Sequence, residues 1–194
     1  MRVGVIDLRI SNLRSICNLL EFSDIKYKII NKDNKLDLCD KYILPGVGSY
    51  DVAIELMRLS GIDVFLKDEI KVGKSLLGIC LGMQLLFEES EEGKEKGLAL
   101  FKGKVKKFKN DKLRIPHMGW NNVYGKNFYS DLNNEKFYFA HSYYVECKEE
   151  NIYAYSDYSI KFPAIVRQNN FYGIQFHPEK SNQNGLELLK KILI

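Results

Sequence analysis

The stretch Ser75-Leu76-Leu77-Gly78-Ile79-Cys80-Leu81-Gly82-Met83-Gln84-Leu85-Leu86-Phe87 constrains this chain more than any other. Its first residues form a short, mostly apolar run of the kind a buried strand shows. From Leu81 onward, Leu81, Leu85 and Leu86 recur at helical spacing with Gln84 among them. Cys80 stands at the junction, with Gly78 and Gly82 two residues to either side. Glycines there let a strand turn sharply into a helix without a Cβ clash. Such a turn holds up its central side chain, as in the Gly-x-Ser-x-Gly nucleophile elbow. Here that side chain is a thiol. At the start of a helix it faces unpaired backbone N–H groups and a partial positive charge, which favour the nucleophilic thiolate. The alternative is a buried structural cysteine. The rest of the chain decides between them by supplying a base or not.

The segments before this stretch predict an open sheet. Arg2 to Ile6 reads as a strand ending at Asp7, and Ser11 or Asn12, either of which can cap a helix, precedes Leu13, Ile16, Cys17 and Leu20 at helical spacing. Tyr27 to Ile30 is a second strand, followed by a polar stretch through Asn31 to Asp37. Lys41 to Leu44 is a third strand, closed by Pro45-Gly46-Val47-Gly48-Ser49. Helices follow near Asp51 to Leu59 and Ile62 to Val72. The order β-α-β-β-α-β-α points to an α/β fold, with an open, mostly parallel central sheet flanked by helices. Ligands bind such sheets beyond the carboxyl ends of the strands, where Gly46-Val47-Gly48 and Cys80 both fall. The two glycines either expose backbone N–H groups to a ligand or form an ordinary turn.

From Gly103 the chain is rich in Tyr and Phe. Gly103 to Lys109, Asn121 to Tyr124, Phe137 to Cys147 and Ile152 to Tyr155 read as strands of an antiparallel β extension. Ala164 to Gln168 and Phe171 to Phe176 flank the hairpin turn Asn169-Asn170, and a helix near Gln183 to Leu193 ends the chain. With 194 residues and no linker-like tract, one domain over 1–194 is the expectation. The formal net charge of +4 is mild and owes much to Lys102, Lys104, Lys106, Lys107, Lys109, Lys112 and Arg114. With no stacking platform beside them, these read as a solvated β-ribbon face, and no nucleic-acid partner is expected. The N-terminus lacks a signal peptide's apolar core and no run is long enough to span a bilayer, so a cytoplasmic protein without membrane contact is expected. Cys17, Cys39, Cys80 and Cys147 are scattered without a C-x-x-C pair. That pattern predicts reduced thiols and no metal.

Only His117, His141 and His177 can serve Cys80 as an imidazole base. In Phe176-His177-Pro178-Glu179 an extended backbone projects His177 and Glu179 to one side. Glu179 then holds one ring nitrogen and leaves the other for Cys80, the nucleophile–base–orienter logic of a triad. His117 and His141 read equally well as partly buried, hydrogen-bonded histidines.

Pro45-Gly46-Val47-Gly48, Gly78-Ile79-Cys80-Leu81-Gly82-Met83-Gln84 and His177-Pro178-Glu179, in that order, resemble the class I (triad) glutamine amidotransferases over essentially the whole chain. Within that family the chain is most similar to the glutaminase subunits of imidazole glycerol phosphate synthase. Met83 (where many relatives have His), Pro116-His117-Met118-Gly119-Trp120-Asn121 and His141-Ser142-Tyr143-Tyr144 carry that likeness. The resemblance implies a catalytic triad of Cys80, His177 and Glu179, acting on L-glutamine with no cofactor. It places oxyanion donors on the backbone of Val47, Gly48 and Leu81. It assigns substrate contacts to Gly46, Gln84, Ser142 and Tyr143. It also implies a separate (β/α)8-barrel cyclase partner in a heterodimer, with Asn12, Met118, Gly119, Trp120 and Asn121 as interface candidates.

One segment departs from the family. Its usual Asp-Tyr-Gly-x-Gly-Asn-Leu reads Asp7-Leu8-Arg9-Ile10-Ser11-Asn12-Leu13 here. This loop lies near the partner interface in the family, so a second reading is a glutaminase serving a sugar amidotransferase of surface polysaccharide or glycan synthesis. A stand-alone cysteine hydrolase and a non-catalytic binding subunit are further alternatives.

Overall fold

A computed structural model describes residues 1–32, 38–109 and 113–194. Positions 33–37 of the polar stretch, and Lys112 of the basic run, lie outside the described residues. The first half runs β1 (Arg2–Ile6), α1 (Leu13–Phe22), β2 (Lys26–Ile30), β3 (Lys41–Gly46), α2 (Tyr50–Ser60), α3 (Ile62–Lys71), β4 (Ser75–Cys80) and α4 (Leu81–Gln84). The second half adds β5 (Glu89–Ser90), β6 (Gly103–Lys107), β7 (His117–Gly125), β8 (Glu135–His141), β9 (Tyr143–Cys147), β10 (Ile152–Tyr158), β11 (Ile160–Gln168), β12 (Phe171–Ile174) and α5 (Asn182–Leu193).

One sheet has the order β2-β1-β3-β4-β12-β11-β10-β7-β8. Strands β2 through β12 in that order are parallel, and the remainder continue antiparallel as the expected extension. A second, small sheet has the order β5-β6-β9. The parallel strands are largely apolar because both faces are covered. Val3, Val5, Ile43, Leu77 and Ile79 pack into one core with Ile16 and Leu20 of α1 and Leu188, Leu189 and Ile192 of α5. Their neighbours Tyr42, Leu44 and Leu76 turn to the other core, with Ala53, Ile54 and Met57 of α2 and Leu66 of α3.

Two of the differences from expectation lie close to the site. The run Phe137 to Cys147 is two strands in different sheets, parted at Ser142, whose carbonyl accepts the Phe108 N–H. The helix after Cys80 is a single turn. The carbonyls that follow it find partners in a distant segment. Leu98 N–H donates to the Leu85 carbonyl, Leu100 and Phe101 N–H to that of Leu86, and Ala99 N–H to that of Phe87. A crossing segment thus satisfies groups that a longer helix would satisfy itself. None of the four cysteines is in a disulfide. Among the described residues, no helix is long and apolar enough to cross a membrane.

Both elbow glycines are needed for close approach. A Cβ on Gly82 would collide with the Leu44 carbonyl oxygen of β3, and one on Gly78 would meet the Gly82 carbonyl. Overpacking of this kind costs about 1–3 kcal/mol even where side chains can yield, and backbone yields less. Gly82→Ala is expected to lose at least that much stability in urea unfolding; a change within error would mean that β3 and β4 separate freely.

Candidate active site

Cys80 ends β4 and has φ 55° and ψ −111°, a positive φ on a residue with a Cβ. Strain of this kind costs about 1–3 kcal/mol and collects at functional sites. Packing holds it: Leu81 through Phe87 are all buried. The neighbouring strand ends converge on the thiol. Gly46 pairs with Cys80 in the β3–β4 register, and Ile174 pairs with Ile79 in the β12–β4 register, which brings Gln175 level with Cys80.

His177 follows two residues later. Its N–H donates to the Tyr138 carbonyl at 2.8 Å, and Ser181 Oγ–H donates to the His177 carbonyl at 2.6 Å. The backbone is not extended beyond it, because Pro178–Lys180 forms a single 3₁₀ turn with proline at its start. The turn still brings Glu179 Oε1 to 2.8 Å from His177 Nδ1, with both side chains buried. The Nε2 edge is left to face Cys80. The His177 pKa is raised to about 10. Burial opposes the imidazolium charge, but charge and hydrogen bonds from Cys80 and Glu179 outweigh it.

A cavity of about 310 Å³ opens over the thiol. Val47, Gly48, Leu81, Gln84, Met118, Ser142 and Tyr143, all singled out from the sequence, line it beside Cys80. Gly46 lies behind it, where a Cβ would crowd Gly82 and Leu81. Glu92, Pro116 and Ala140, to which the sequence assigns no site role, also line it, as does His141, one of the three candidate bases. Ala140 accepts a weak hydrogen bond from the Cys80 thiol, at 3.8 Å. Glu92 reaches the cavity because Asp51, at the start of α2, accepts the N–H groups of Lys94 and Glu95 and pins the loop. Burial raises its carboxyl pKa.

The glutamine amidotransferase class-I family profile matches residues 4–194. The chain is 45% identical to the imidazole glycerol phosphate synthase subunit HisH of Bacillus licheniformis, over 97% of this chain and 94% of that protein. It is 40% identical to the subunit of the same name from Leptospira interrogans, over 97% of each. The chain belongs to the class-I glutamine amidotransferases, of the HisH type. A crystal structure of a glutamine amidotransferase shares the fold with a TM-score of 0.77 at 22% identity, over 96% of this chain and 95% of that one.

Family membership sharpens the reading of the Asp7–Leu13 segment. Arg9, one of the residues by which this segment departs from the pattern it resembles, takes φ 61°. Its N–H donates to Asp7 Oδ1 at 2.7 Å, which fastens the turn, while Leu8 is buried. Arg9 therefore holds a left-handed backbone that ordinarily favours glycine. Asn12 is exposed at the head of α1 and makes no side-chain cap. Helix α1 packs on the Pro178–Lys180 turn, whose Lys180 ammonium lies 5.6 Å from the Tyr138 ring centroid. Tyr138 meets Trp120 edge-on at 6.2 Å. One rim of the site thus runs from α1 to β7.

Strand alternation divides the β7 candidates. Met118 and Trp120 face outward, 64% and 49% exposed. His117 and Asn121 face the other way. Asn121 Nδ2 bonds the Asp157 carbonyl at 2.8 Å and His117 Nε2 at 3.2 Å. His117 Nδ1 lies 3.0 Å from His141 Nε2, and His141 Nδ1 lies 2.7 Å from the Tyr143 carbonyl. Burial lowers the pKa of His117 to about 4 and that of His141 to about 3. Both folded values lie below the ordinary value of about 6.5, so the unfolded chain binds these protons first. Their stability contribution is whole above about pH 6.5 and falls away as pH drops toward about 4. One pKa unit corresponds to about 1.4 kcal/mol. His117→Phe, which removes one such group, is expected to flatten the decline of Tm between about pH 7 and pH 4; a slope equal to that of the unaltered chain would refute the assignment.

Proposed function

We propose that this chain hydrolyses L-glutamine to glutamate and ammonia through a Cys80 thioester, and delivers the ammonia to a (β/α)8-barrel cyclase subunit in the synthesis of imidazole glycerol phosphate for histidine. The observation that carries the reading is a strained, cavity-facing thiol backed by the buried His177–Glu179 pair. A non-catalytic subunit would have no use for that arrangement.

In this mechanism, Cys80 sulfur attacks the side-chain amide carbon of glutamine, and the carbonyl electron pair moves onto oxygen. Backbone N–H groups of Leu81 and of the Val47-Gly48 loop, which border the cavity, receive that charge. One such donor lowers the barrier by about 3 kcal/mol. His177, protonated and held through Nδ1 by Glu179, gives its Nε2 proton to the departing nitrogen, and the C–N bond breaks to release ammonia. His177 then takes a proton from water as it attacks the thioester, and sulfur leaves to restore Cys80.

Glu92 supplies the one carboxylate of the cavity lining among the described residues, the complement of glutamine's α-ammonium. Ser142 and Tyr143 border the other side. The exposed Met118 and Trp120 beside the mouth suit an aromatic anchor for the cyclase. The HisH name shared by relatives at 40% and 45% identity favours that partner over a sugar amidotransferase.

The test is glutamine hydrolysis by the chain alone and with a cyclase subunit plus its ribulosyl phosphate substrate. Activity should rise with the partner, and Cys80→Ala should abolish it in both settings. Retention of turnover by Cys80→Ala would sink the mechanism; activation by a sugar amidotransferase alone would redirect the pathway. Glu92→Gln is expected to raise KM for glutamine about tenfold, a loss of about 1.4 kcal/mol in binding, with a smaller change in kcat. An unaltered KM would remove Glu92 from the substrate site.

A further inference from the structure

Gln175 is wholly buried, one residue past β12 and two before His177. Its Nε2 lies 3.8 Å from Cys80 Sγ, and its Oε1 lies 3.2 Å from Gln84 Nε2. Two side-chain amides in contact leave their orientations ambiguous unless something outside them decides. Here the Tyr143 carbonyl decides. It can only accept, and Gln84 Nε2 lies 3.2 Å from it. Gln84 therefore presents its NH₂ to both Tyr143 and Gln175. Gln175 must answer with its oxygen, and its own NH₂ is turned to the sulfur.

The Tyr143 carbonyl is itself fixed. It accepts from His141 Nδ1–H, whose Nε2 accepts from His117 Nδ1–H, whose Nε2 accepts from Asn121. Every link has one donor and one acceptor only if both imidazoles are neutral, the form their burial favours. One series of donors thus runs from Asn121 on β7 to the Tyr143 carbonyl, and a second runs from the Gln84 amide, which donates to that carbonyl and to Gln175, on to the thiol.

We propose that Gln175 is a positioning residue for Cys80: its amide N–H, oriented by Gln84 and the Tyr143 carbonyl, holds the sulfur at the cavity floor and stabilises its charged form. The proposal rests on the reading of Cys80 as the nucleophile. The other polar neighbour of the sulfur is the Ala140 carbonyl at 3.8 Å, which can only accept.

The test compares Gln175→Met and Gln175→Glu in the full chain, with and without the cyclase partner. If Gln175 only anchors Gln84, Gln175→Glu keeps the needed oxygen and stays nearer the unaltered chain than Gln175→Met. If it donates to sulfur, the order reverses, because the carboxylate presents an acceptor to the thiolate. We expect kcat and the rate of Cys80 alkylation by iodoacetamide near neutral pH to fall about tenfold in Gln175→Met, the scale of one hydrogen bond to a charged group. A larger fall is expected in Gln175→Glu, with KM for glutamine within about twofold in both. Unfolding curves establish that each variant is folded, and if Gln175→Glu is not, an unchanged alkylation rate in Gln175→Met overturns the proposal by itself. Equal or reversed ordering also overturns it. Peptide mapping of the alkylated residue keeps the two readings apart: label on another cysteine, or turnover by Cys80→Ala, would count against the nucleophile rather than against Gln175.

Discussion

The architecture of the site depends on one close backbone approach, between Gly82 and the Leu44 carbonyl. It lets β3 and β4 run side by side to their ends, so that Gly46 is level with Cys80. The turn beyond Cys80 must then be made within one residue, and Cys80 takes it at φ 55°. The strain, about 1–3 kcal/mol, is offset by burial of Leu81 through Phe87. The following helix is one turn long. The carbonyls after it turn toward the 98–101 segment, and that segment in turn leads into β6, the middle strand of the small sheet.

Much of the first half is legible in the sequence because parallel strands with both faces covered are apolar with little interruption. β1, β3 and β4 announce themselves in the residues, and so do the turns that end them. The antiparallel half is less so. Nothing local in Phe137 to Cys147 shows that Ser142 sends the chain from the large sheet to the small one; that is decided by pairing with β7 on one side and β6 on the other. The apolar spacing after Cys80 suggests a longer helix for the same reason, since the partners of its carbonyls are distant in sequence. An extended backbone would pair His177 with Glu179, yet the two meet through a tight turn begun by Pro178.

The site divides along the same line. Cys80, His177 and Glu179, the proposed triad, stand in short local patterns, and Gln84 lies one helical turn from the first of them. Glu92 stands in the acidic stretch Glu88-Glu89-Ser90-Glu91-Glu92, where no local feature separates it from its solvated neighbours. What distinguishes it is Asp51, far back in the chain, which fixes the loop. Gln175 is a polar residue inside an otherwise apolar strand end, Gly173-Ile174-Gln175-Phe176. A polar side chain in such a place must find partners, and that is the one signal by which it was findable.

The two kinds of buried histidine show how charged partners can outweigh burial in deciding a charge. His141 and His177 both lie within the site and are about equally hidden from solvent. Burial lowers both pKa values, but at His177 the carboxylate and the thiol outweigh it and the pKa rises; at His141 the Tyr143 carbonyl opposes burial without outweighing it, and the pKa falls. The charge of His177 itself contributes to keeping His141 neutral. The arrangement is therefore self-consistent. The positive charge is favoured on His177 and disfavoured on His141. The neutral pair beside it can then act as a directional hydrogen-bond chain, because neither ring has a second proton to break the sequence of donors and acceptors.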